Sequence, residues 1–176
     1  MIDNAQVNHL ERIASFHELR YQKLNELEGN IGLITNGAGL TSATIDLIHQ
    51  LHGKPANRLD FTTASSIEDM LQALDLMEYD ERVKVVLINI FGGGLDIHRI
   101  SEGIVKARQM DVITKPIVVR LRGMFAGECN QMIEDYLATD GAKSKAPTYL
   151  VKEMDMAALQ AVKIAQESEL AYLMEI

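Results

Sequence analysis

The middle of the chain carries a nearly unbroken apolar run from Val83 to Phe91. A run of aliphatic and β-branched residues of this length is typical of a strand that is covered on both faces in a parallel sheet. The glycines Gly92, Gly93 and Gly94 follow, and apolar residues then recur at helical spacing from Leu95 onward. The pattern therefore predicts a buried strand, a glycine turn and a helix.

Short apolar runs alternate with amphipathic stretches along the rest of the chain in the same way. Strands are predicted at 31–35, 58–61, 83–91, 116–121 and 147–151, and helices at 40–51, 67–78, 95–110, 127–139 and 155–167. At the start of the second of these helices, Ser65 or Ser66 together with Glu68 or Asp69 offers N-cap chemistry. Strands that alternate with helices favour an α/β fold, here a five-stranded, doubly wound parallel sheet with helices on both faces.

The first residues have a different pattern. An apolar stripe predicts one amphipathic helix over residues 4–27, which Gly29 and the residue after it would end; its members are Leu10, Ile13, Phe16, Leu19 (or Leu24) and Leu27. We therefore divide the chain into an amino-terminal helical segment, residues 1–28, and an α/β domain, residues 29–176.

Ligands of doubly wound sheets bind outside the carboxyl ends of the strands. This places four turns around one rim, at residues 36–40, 62–66, 92–96 and 122–126. Glycine-rich turns before helices offer backbone N–H groups that suit phosphate or carboxylate. The side-chain amide of Asn36 can both donate to and accept from a small carboxylic acid. The alternative is that these glycines and Asn36 serve only the conformation of tight turns.

The composition and the remaining polar residues exclude several classes of function. The net charge of −8 and the absence of a basic run argue against a nucleic-acid surface. No apolar stretch reaches membrane-spanning length, and an internal compartment is expected. The single cysteine, Cys129, is expected to be buried and structural, and His98 could face the rim. No nucleophile–base pair and no metal-ligand cluster is recognisable, so we assign no catalytic residue and no metal ligand.

Several strings along the chain resemble a known family. They are Gly29-Asn-Ile-Gly32, Asn36-Gly-Ala-Gly-Leu40, Leu51-His-Gly-Lys-Pro-Ala-Asn57, Leu59-Asp60, Val83-Lys-Val-Val-Leu-Ile-Asn-Ile-Phe-Gly-Gly93 and Pro116-Ile-Val-Val-Arg-Leu121. Their order and spacing are similar to those of the carboxy-terminal, flavodoxin-like domain of the succinate–CoA ligase (succinyl-CoA synthetase) β subunit. That ligase belongs to the tricarboxylic acid cycle.

The resemblance implies a function shared with other domains. An ATP-grasp domain would bind the nucleoside triphosphate and Mg, and an α-like subunit would bind CoA and carry a phosphorylated histidine, so no cofactor is expected in this chain itself. Asn36 would contact the acid substrate. Gly93, Gly94 and Leu95, with Gly92 before them, would form the helix N-terminus that faces the phosphoryl group or the succinyl carboxylate. The expected location is the cytoplasm or the mitochondrial matrix.

Three of the four rim turns depart from the family pattern. Thr62–Ser65 replaces a glycine-rich turn, Asp96 replaces an arginine, and Arg122–Phe125 replaces Glu-Gly-Asn-Asn. Asp96 would place a negative charge beside a bound phosphoryl group, which Arg99 or Arg122 could offset.

Two alternative functions remain open at this point. One is a diverged, non-catalytic module that docks on an α-like partner. The other is a nicotinamide- or flavin-binding protein, for which Gly37, Gly39 and Asp60 give a partial dinucleotide pattern. Ser42 stands where the third glycine of that pattern would be.

Overall fold

A computed structural model describes residues 4–24 and 27–174. The helices are α1 Asn4–Phe16, α2 Ala38–Gln50, α3 Ile67–Tyr79, α4 Ile97–Gln109, α5 Ala126–Thr139 and α6 Met154–Met174, with a short 3₁₀ turn at Gly141–Lys143. The strands are β1 Arg20–Lys23, β2 Ile31–Thr35, β3 Pro55–Asp60, β4 Val85–Gly92, β5 Ile117–Gly123 and β6 Thr148–Leu150. Within the described residues, no helix is long and apolar enough to cross a membrane.

The six strands form one sheet in the order β1-β3-β2-β4-β5-β6. β3, β2, β4, β5 and β6 pair in parallel, as the alternating pattern predicts, while β1 pairs with β3 in antiparallel orientation. The predicted doubly wound α/β fold is thus confirmed, with one additional edge strand. Because β3 lies on one side of β2 and β4 on the other, the strand order reverses between β2 and β4, and their carboxyl ends face the crevice where such sheets bind ligands.

The prediction of one helix over residues 4–27 is wrong between Phe16 and residue 24, while residues 25 and 26 lie outside the part of the chain that the structure describes. Glu18 adopts a left-handed conformation, with φ of 56°, and the chain then turns back as β1. Pairing with β3 satisfies backbone groups at what would otherwise be an open edge of the sheet, and this tertiary pairing outweighs local helix propensity. Phe16 and Leu27 are 83% and 89% exposed, so they do not continue the apolar stripe of Leu10. The division of the chain at residue 28 stays a prediction.

Two hydrophobic cores lie on opposite faces of the sheet. The larger core packs beneath α1, α3, α4 and α5 and contains Ile34, Ile88 and Val119 from the central strands. The smaller core packs beneath α2 and α6 and contains Leu33, Leu87 and Val118. Neighbouring residues in each strand therefore point to opposite cores, which explains why β2 and β4 are almost continuously apolar in sequence.

Polar side chains stabilise both ends of α3. Ser66 begins α3 with a capping box, in which it accepts from the Asp69 N–H while Asp69 accepts from the Ser66 N–H, so the predicted N-cap chemistry is confirmed. At the other end, the Lys115 Nζ donates to the carbonyls of Met77, Glu78 and Asp80 at 2.7–2.8 Å. These contacts satisfy carbonyls that the end of α3 leaves without helical partners.

Asp80 and Arg82 form a buried ion pair just before β4. The distance between Arg82 Nη2 and Asp80 Oδ2 is 2.7 Å, and both side chains are about 95% buried. Asn57 of β3 donates a further hydrogen bond to Asp80 at 2.9 Å. Burial alone would raise the pKa of Asp80, but the hydrogen bonds and charge of Arg82 hold it below its ordinary value.

Candidate functional site at the carboxyl ends of the strands

The structure brings the predicted rim turns together at the carboxyl ends of β2, β4 and β5. Strand register places Thr35 beside Asn89, Phe91 beside Arg122, and Gly92 beside Gly123. The turns that follow these strands therefore meet at one edge of the sheet. A cleft of about 340 Å³ opens there between the glycine turn, α4 and the turn after β5.

Asn36 bridges the ends of β2 and β4. Its side-chain Nδ2 donates to the Phe91 carbonyl at 2.9 Å, and its Oδ1 accepts from the Phe91 N–H at 2.8 Å. These two contacts fix the orientation of the amide and give Asn36 a structural role, in agreement with the conformational alternative that the sequence left open. One amide hydrogen and one oxygen lone pair remain for another partner. Contact with a substrate therefore stays a prediction.

The glycine turn lies one step before the start of its helix. Asp96 is the N-cap and Ile97 the first helical residue, so Gly93, Gly94 and Leu95 precede the helix N-terminus and do not form it, in contrast to the prediction. Gly93 and Gly94 are exposed at the cleft, whereas Leu95 is only 6% exposed and packs into the larger core. At Gly92 a Cβ would approach Ile97 to 2.9 Å, which explains the need for glycine there.

Charged side chains surround the first turn of α4. Asp96 Oδ1 accepts from the His98 N–H at 3.1 Å, and Asp96 Oδ2 lies 3.3 Å from Arg99 Nε. The His98 ring lies between two carboxylates, with Nδ1 3.5 Å from Asp96 and Nε2 3.2 Å from Glu128 on α5. Arg99 thus provides the charge compensation for Asp96 that the sequence suggested. His98 does face the rim, where it links α4 to α5.

The turn after β5 exposes a cluster of apolar side chains. Gly123 has φ of 96°, and a Cβ there would overlap the Gly92 carbonyl, so β4 and β5 can end side by side only with glycine at this position. Phe125 adopts a left-handed conformation, with φ of 63°, at the N-cap of α5. Phe91, Met124 and Phe125 are each more than half exposed and form what we call the apolar rim patch.

The turn before α2 is occupied by a carboxylate of the protein itself. Asp60 Oδ1 accepts from the Gly37 N–H at 2.6 Å. Asp60 also lies 3.8 Å from Arg20 Nη1 of β1. Asp60 therefore stabilises the start of α2, which leaves less reason to regard it as the ribose acceptor of a dinucleotide site.

Cys129 and a second cleft lie apart from this site. The Cys129 side chain is fully buried, as predicted, and burial raises the pKa of its thiol. Among the described residues, no group of three or more His, Cys, Asp or Glu could hold a metal ion. A larger cleft of about 560 Å³ lies at the amino ends of the strands. Two of its basic side chains already have acidic partners, since Lys54 lies 2.7 Å from Glu28 and Arg82 is paired with Asp80.

A sequence model of the CoA-ligase family matches residues 34–162, which is most of the chain and includes every turn of this rim. The chain belongs to the CoA-ligase family. The likeness suggested by the sequence motifs is thereby confirmed at the level of the domain.

Named relatives of this CoA-ligase domain are considerably longer. It is 39% identical over 165 residues to the succinate–CoA ligase [ADP-forming] subunit beta 2 of Archaeoglobus fulgidus, and the match covers 94% of this chain and 41% of that protein. It is 45% identical over 133 residues to the succinate–CoA ligase [ADP-forming] subunit beta of Francisella tularensis subsp. novicida, covering 76% of this chain and 34% of that protein. The chain thus spans less than half the length of these relatives, and its position within a longer subunit stays a prediction.

Solved structures show the same fold. ATP citrate lyase from Methanothrix soehngenii, in complex with citrate and coenzyme A, superposes with a TM-score of 0.68 at 18% identity, over 93% of this chain and 43% of that chain. The dinucleotide-forming acetyl-coenzyme A synthetase 1 of Ca. Korarchaeum cryptofilum superposes with a TM-score of 0.58 at 14% identity, over 99% of this chain and 40% of that chain. At these identities the likeness concerns the fold alone.

Sequence reasoning missed two residues of the CoA-ligase rim. Arg120 donates to Asn89 Oδ1 from β5, and Glu128 contacts His98 from α5, but neither was singled out. The pattern along β5 could have indicated Arg120, because it is a charged residue that directly follows three apolar residues of the same strand. The partnership of His98 with Glu128 depends on how α4 packs against α5, which has no local signature in the sequence.

Proposed function

We propose that this CoA-ligase domain supplies the side of a succinate–CoA ligase active site that faces the acid and the phosphoryl group. The complete reaction would be nucleoside triphosphate + succinate + CoA ⇌ nucleoside diphosphate + phosphate + succinyl-CoA. The names of the relatives support the reaction class. The observation that carries the proposal is the cleft formed by the glycine turn, with Asn36 held one strand away through Phe91.

The geometry of this cleft suits an anionic ligand. Gly93 and Gly94 have no side chains to cover their backbone, so a carboxylate or phosphoryl oxygen can approach the N–H groups of the turn closely. The positive end of the α4 dipole lies directly behind the turn and favours negative charge there. Asn36 retains one hydrogen-bond donor and one acceptor, which would orient the second polar end of a small acid.

Other parts of the enzyme would supply the remaining chemistry. In this proposal an ATP-grasp domain or chain binds the nucleotide and Mg, and an α-like subunit binds CoA and carries the phosphorylated histidine. The role of the present domain is to bind and orient the acid and to limit its access to water. As an enzyme of central metabolism, the assembly would lie in the cytoplasm or the mitochondrial matrix.

The apolar rim patch is the surface that we assign to the α-like subunit. Phe91, Met124 and Phe125 expose large apolar side chains at the edge of the cleft. Exposed apolar side chains grouped beside polar ones are typical of a protein contact. A subunit bound there would bring its histidine to the mouth of the cleft.

The experiment is a titration of the full chain with succinate and with sulfate, followed by chemical shifts, for the native chain and for Gly93→Val. A Cβ at Gly93 meets only the Phe91 ring, at 3.8 Å, so valine is expected to cover the N–H groups of the turn without unfolding it. The expected result is loss of anion binding in Gly93→Val. The matched control is Gly127→Val in the first turn of α5, where a Cβ meets no atom within 4 Å. Equal binding by all three proteins would remove the glycine turn from the site.

A diverged docking module is the second candidate function. It is favoured by Asp96, whose carboxylate occupies the N-cap of α4 and adds negative charge beside the cleft. In that case the apolar rim patch would still bind the α-like subunit, while the cleft would no longer bind an anion.

A further inference from the structure

The last helix, α6, has apolar residues on two opposite sides. Its inner side packs in the smaller core through small residues, which are Ala157, Ala158, Ala161, Val162 and Ala165. Its outer side exposes larger apolar side chains, by 45–80%, which are Met156, Leu159, Leu170, Leu173 and Met174. A helix that is apolar all round is normally buried on both sides. The outer side of α6 is therefore a surface that a second chain is expected to cover.

This surface is separate from the candidate site at the rim. The cleft there is lined by residues 92–98, 124 and 125, none of which lies on α6. The match to the CoA-ligase family ends at residue 162, whereas α6 continues to Met174. Leu170 and Leu173 thus lie in the part of the helix beyond that match. A role of the outer side of α6 is independent of the function proposed for the rim.

The outer residues of α6 recur with heptad spacing. Steps of three and four alternate along six positions, which are Met156, Leu159, Lys163, Gln166, Leu170 and Leu173. We call these positions the α6 outer stripe. Such spacing keeps residues on one side of a helix and is the pattern by which two helices pack along their length. At a rise of about 1.5 Å per residue, the stripe is about 26 Å long.

The α6 outer stripe matches itself when two copies run in opposite directions. Position 156 then lies opposite 173 of the second copy, 159 opposite 170, and 163 opposite 166. Because the stripe is apolar at both ends and polar in the middle, apolar residues meet apolar ones and polar residues meet polar ones. A twofold axis through the middle of the stripe produces this pairing, as in most homodimers.

The charges at the middle of the stripe favour the same arrangement. Lys163 and Glu167 are each about two-thirds exposed, and Lys163 Nζ lies 4.0 Å from Glu167 Oε1 within one chain. In the antiparallel pair, Lys163 of each copy lies beside Gln166 and Glu167 of the other. In a parallel pair, Lys163 would instead lie beside Lys163 of the second copy. Polar residues at core positions of paired helices select orientation and register in this way.

We infer that the outer side of α6 binds a second copy of this chain, in an antiparallel pair of α6 helices related by a twofold axis. The pair buries the five exposed apolar side chains of each copy and places two Lys163–Glu167 contacts across the axis. The rim cleft of each copy stays open, because α6 contributes no residue to it.

The test is sedimentation velocity on the full chain from micromolar to submillimolar concentration. The native chain is compared with Lys163→Glu, with Glu167→Lys and with an equimolar mixture of the two variants. Both residues are exposed, so neither substitution disturbs the core. The matched controls are Lys106→Glu and Glu102→Lys on α4, which reverse the same charges in an exposed ion pair of the same helical spacing.

The native chain and both controls are expected to sediment as dimers, with twice the chain mass of 19.6 kDa. Each α6 variant should dissociate about thirtyfold more readily, because two attractive contacts across the axis become two repulsive ones. The mixture should regain the dimer, since glutamates at 163 and 167 of one copy then face lysines at 167 and 163 of the other.

Three results would overturn the inference. The first is a native chain that stays monomeric at the highest concentration, which would leave the stripe to a partner of different sequence. The second is a native dimer that neither α6 variant weakens, which would place the contact on another surface. The third is a pair of weakened variants that do not associate when mixed, which would exclude the antiparallel pairing. None of these results bears on anion binding at the rim.

Discussion

Replacing Asp96 by Asn should strengthen anion binding at the glycine turn by several-fold. Asp96 is the N-cap of α4 and accepts from the His98 N–H at 3.1 Å, so its carboxylate lies at the edge of the cleft. Asparagine is as good an N-cap as aspartate and keeps the hydrogen bond. The substitution therefore removes the negative charge with little change in geometry.

The size of the effect follows from the environment of Asp96. Two like charges about 5 Å apart repel each other by about 1 kcal/mol in water and by about 3 kcal/mol at an effective dielectric constant of about 20. The Asp96 side chain is 47% exposed and lies 3.3 Å from Arg99 Nε, so the lower figure applies. Removal of about 1 kcal/mol of repulsion raises the affinity about fivefold. The free energy of unfolding should fall by about 0.5 kcal/mol, because a favourable contact with the α4 dipole is lost.

The assay is a low-salt titration of the native chain and Asp96→Asn with sulfate and an acyl-phosphate analogue, followed by chemical shifts. Glu102→Gln is the control, since Glu102 also lies on α4 and pairs with a basic residue, Lys106, at 2.8 Å. Fivefold tighter binding in Asp96→Asn alone would support an anion site that the natural aspartate weakens. If the native chain binds sulfate and Asp96→Asn binds it with the same affinity, the electrostatic reasoning is refuted. If neither protein bound any anion, the second candidate function, a docking module, would be favoured.

Three further predictions concern the stability of the domain. Asp80→Asn should lower the free energy of unfolding by about 3 kcal/mol at neutral pH, because it leaves Arg82 buried without its partner. Since the pKa of Asp80 is held below its ordinary value, the native chain should lose this contribution as the pH falls below about 4. The stability of the variant, measured by urea unfolding, should depend less on pH in that range. Lys115→Met should cost about 2–3 kcal/mol in the same assay, because the carbonyls at the end of α3 lose three hydrogen bonds; an unchanged midpoint would show that water replaces them. Cys129, buried and with a raised thiol pKa, should react with a thiol reagent only at the rate at which the domain opens, so rapid labelling of the native chain at neutral pH would contradict its placement.

The parallel sheet could be predicted from the sequence because its signals are local. The apolar run of β4 and the glycines after it specify a buried strand and a tight turn without reference to the rest of the chain. Ser66 and Asp69 likewise form the predicted cap with residues three positions apart. The conformation of such elements is decided by residues that are neighbours in sequence, so it can be predicted from the sequence alone.

The errors arose where tertiary contacts decide the structure. The sequence of Arg20–Lys23 has a helical pattern in isolation. In the structure the chain turns at Glu18, and the backbone of these residues then pairs with β3. The sequence also did not indicate that Asn36 makes two hydrogen bonds to Phe91, which lies 55 residues further along the chain. Contacts of such sequence separation follow from the packed fold and have no local pattern.

The antiparallel strand β1 also limits where the amino-terminal part of this chain can be removed. β1 covers the outer edge of β3, so removal of residues 1–28 would leave the backbone groups of Asn57–Asp60 that pair with β1 without a partner along one side of the sheet. Open edges of this kind recruit strands from other molecules. A shortened chain that begins at Gly29 should therefore self-associate through β3 even if its own sheet folds. The family match begins at residue 34, yet the strand that covers this edge of the sheet lies before it.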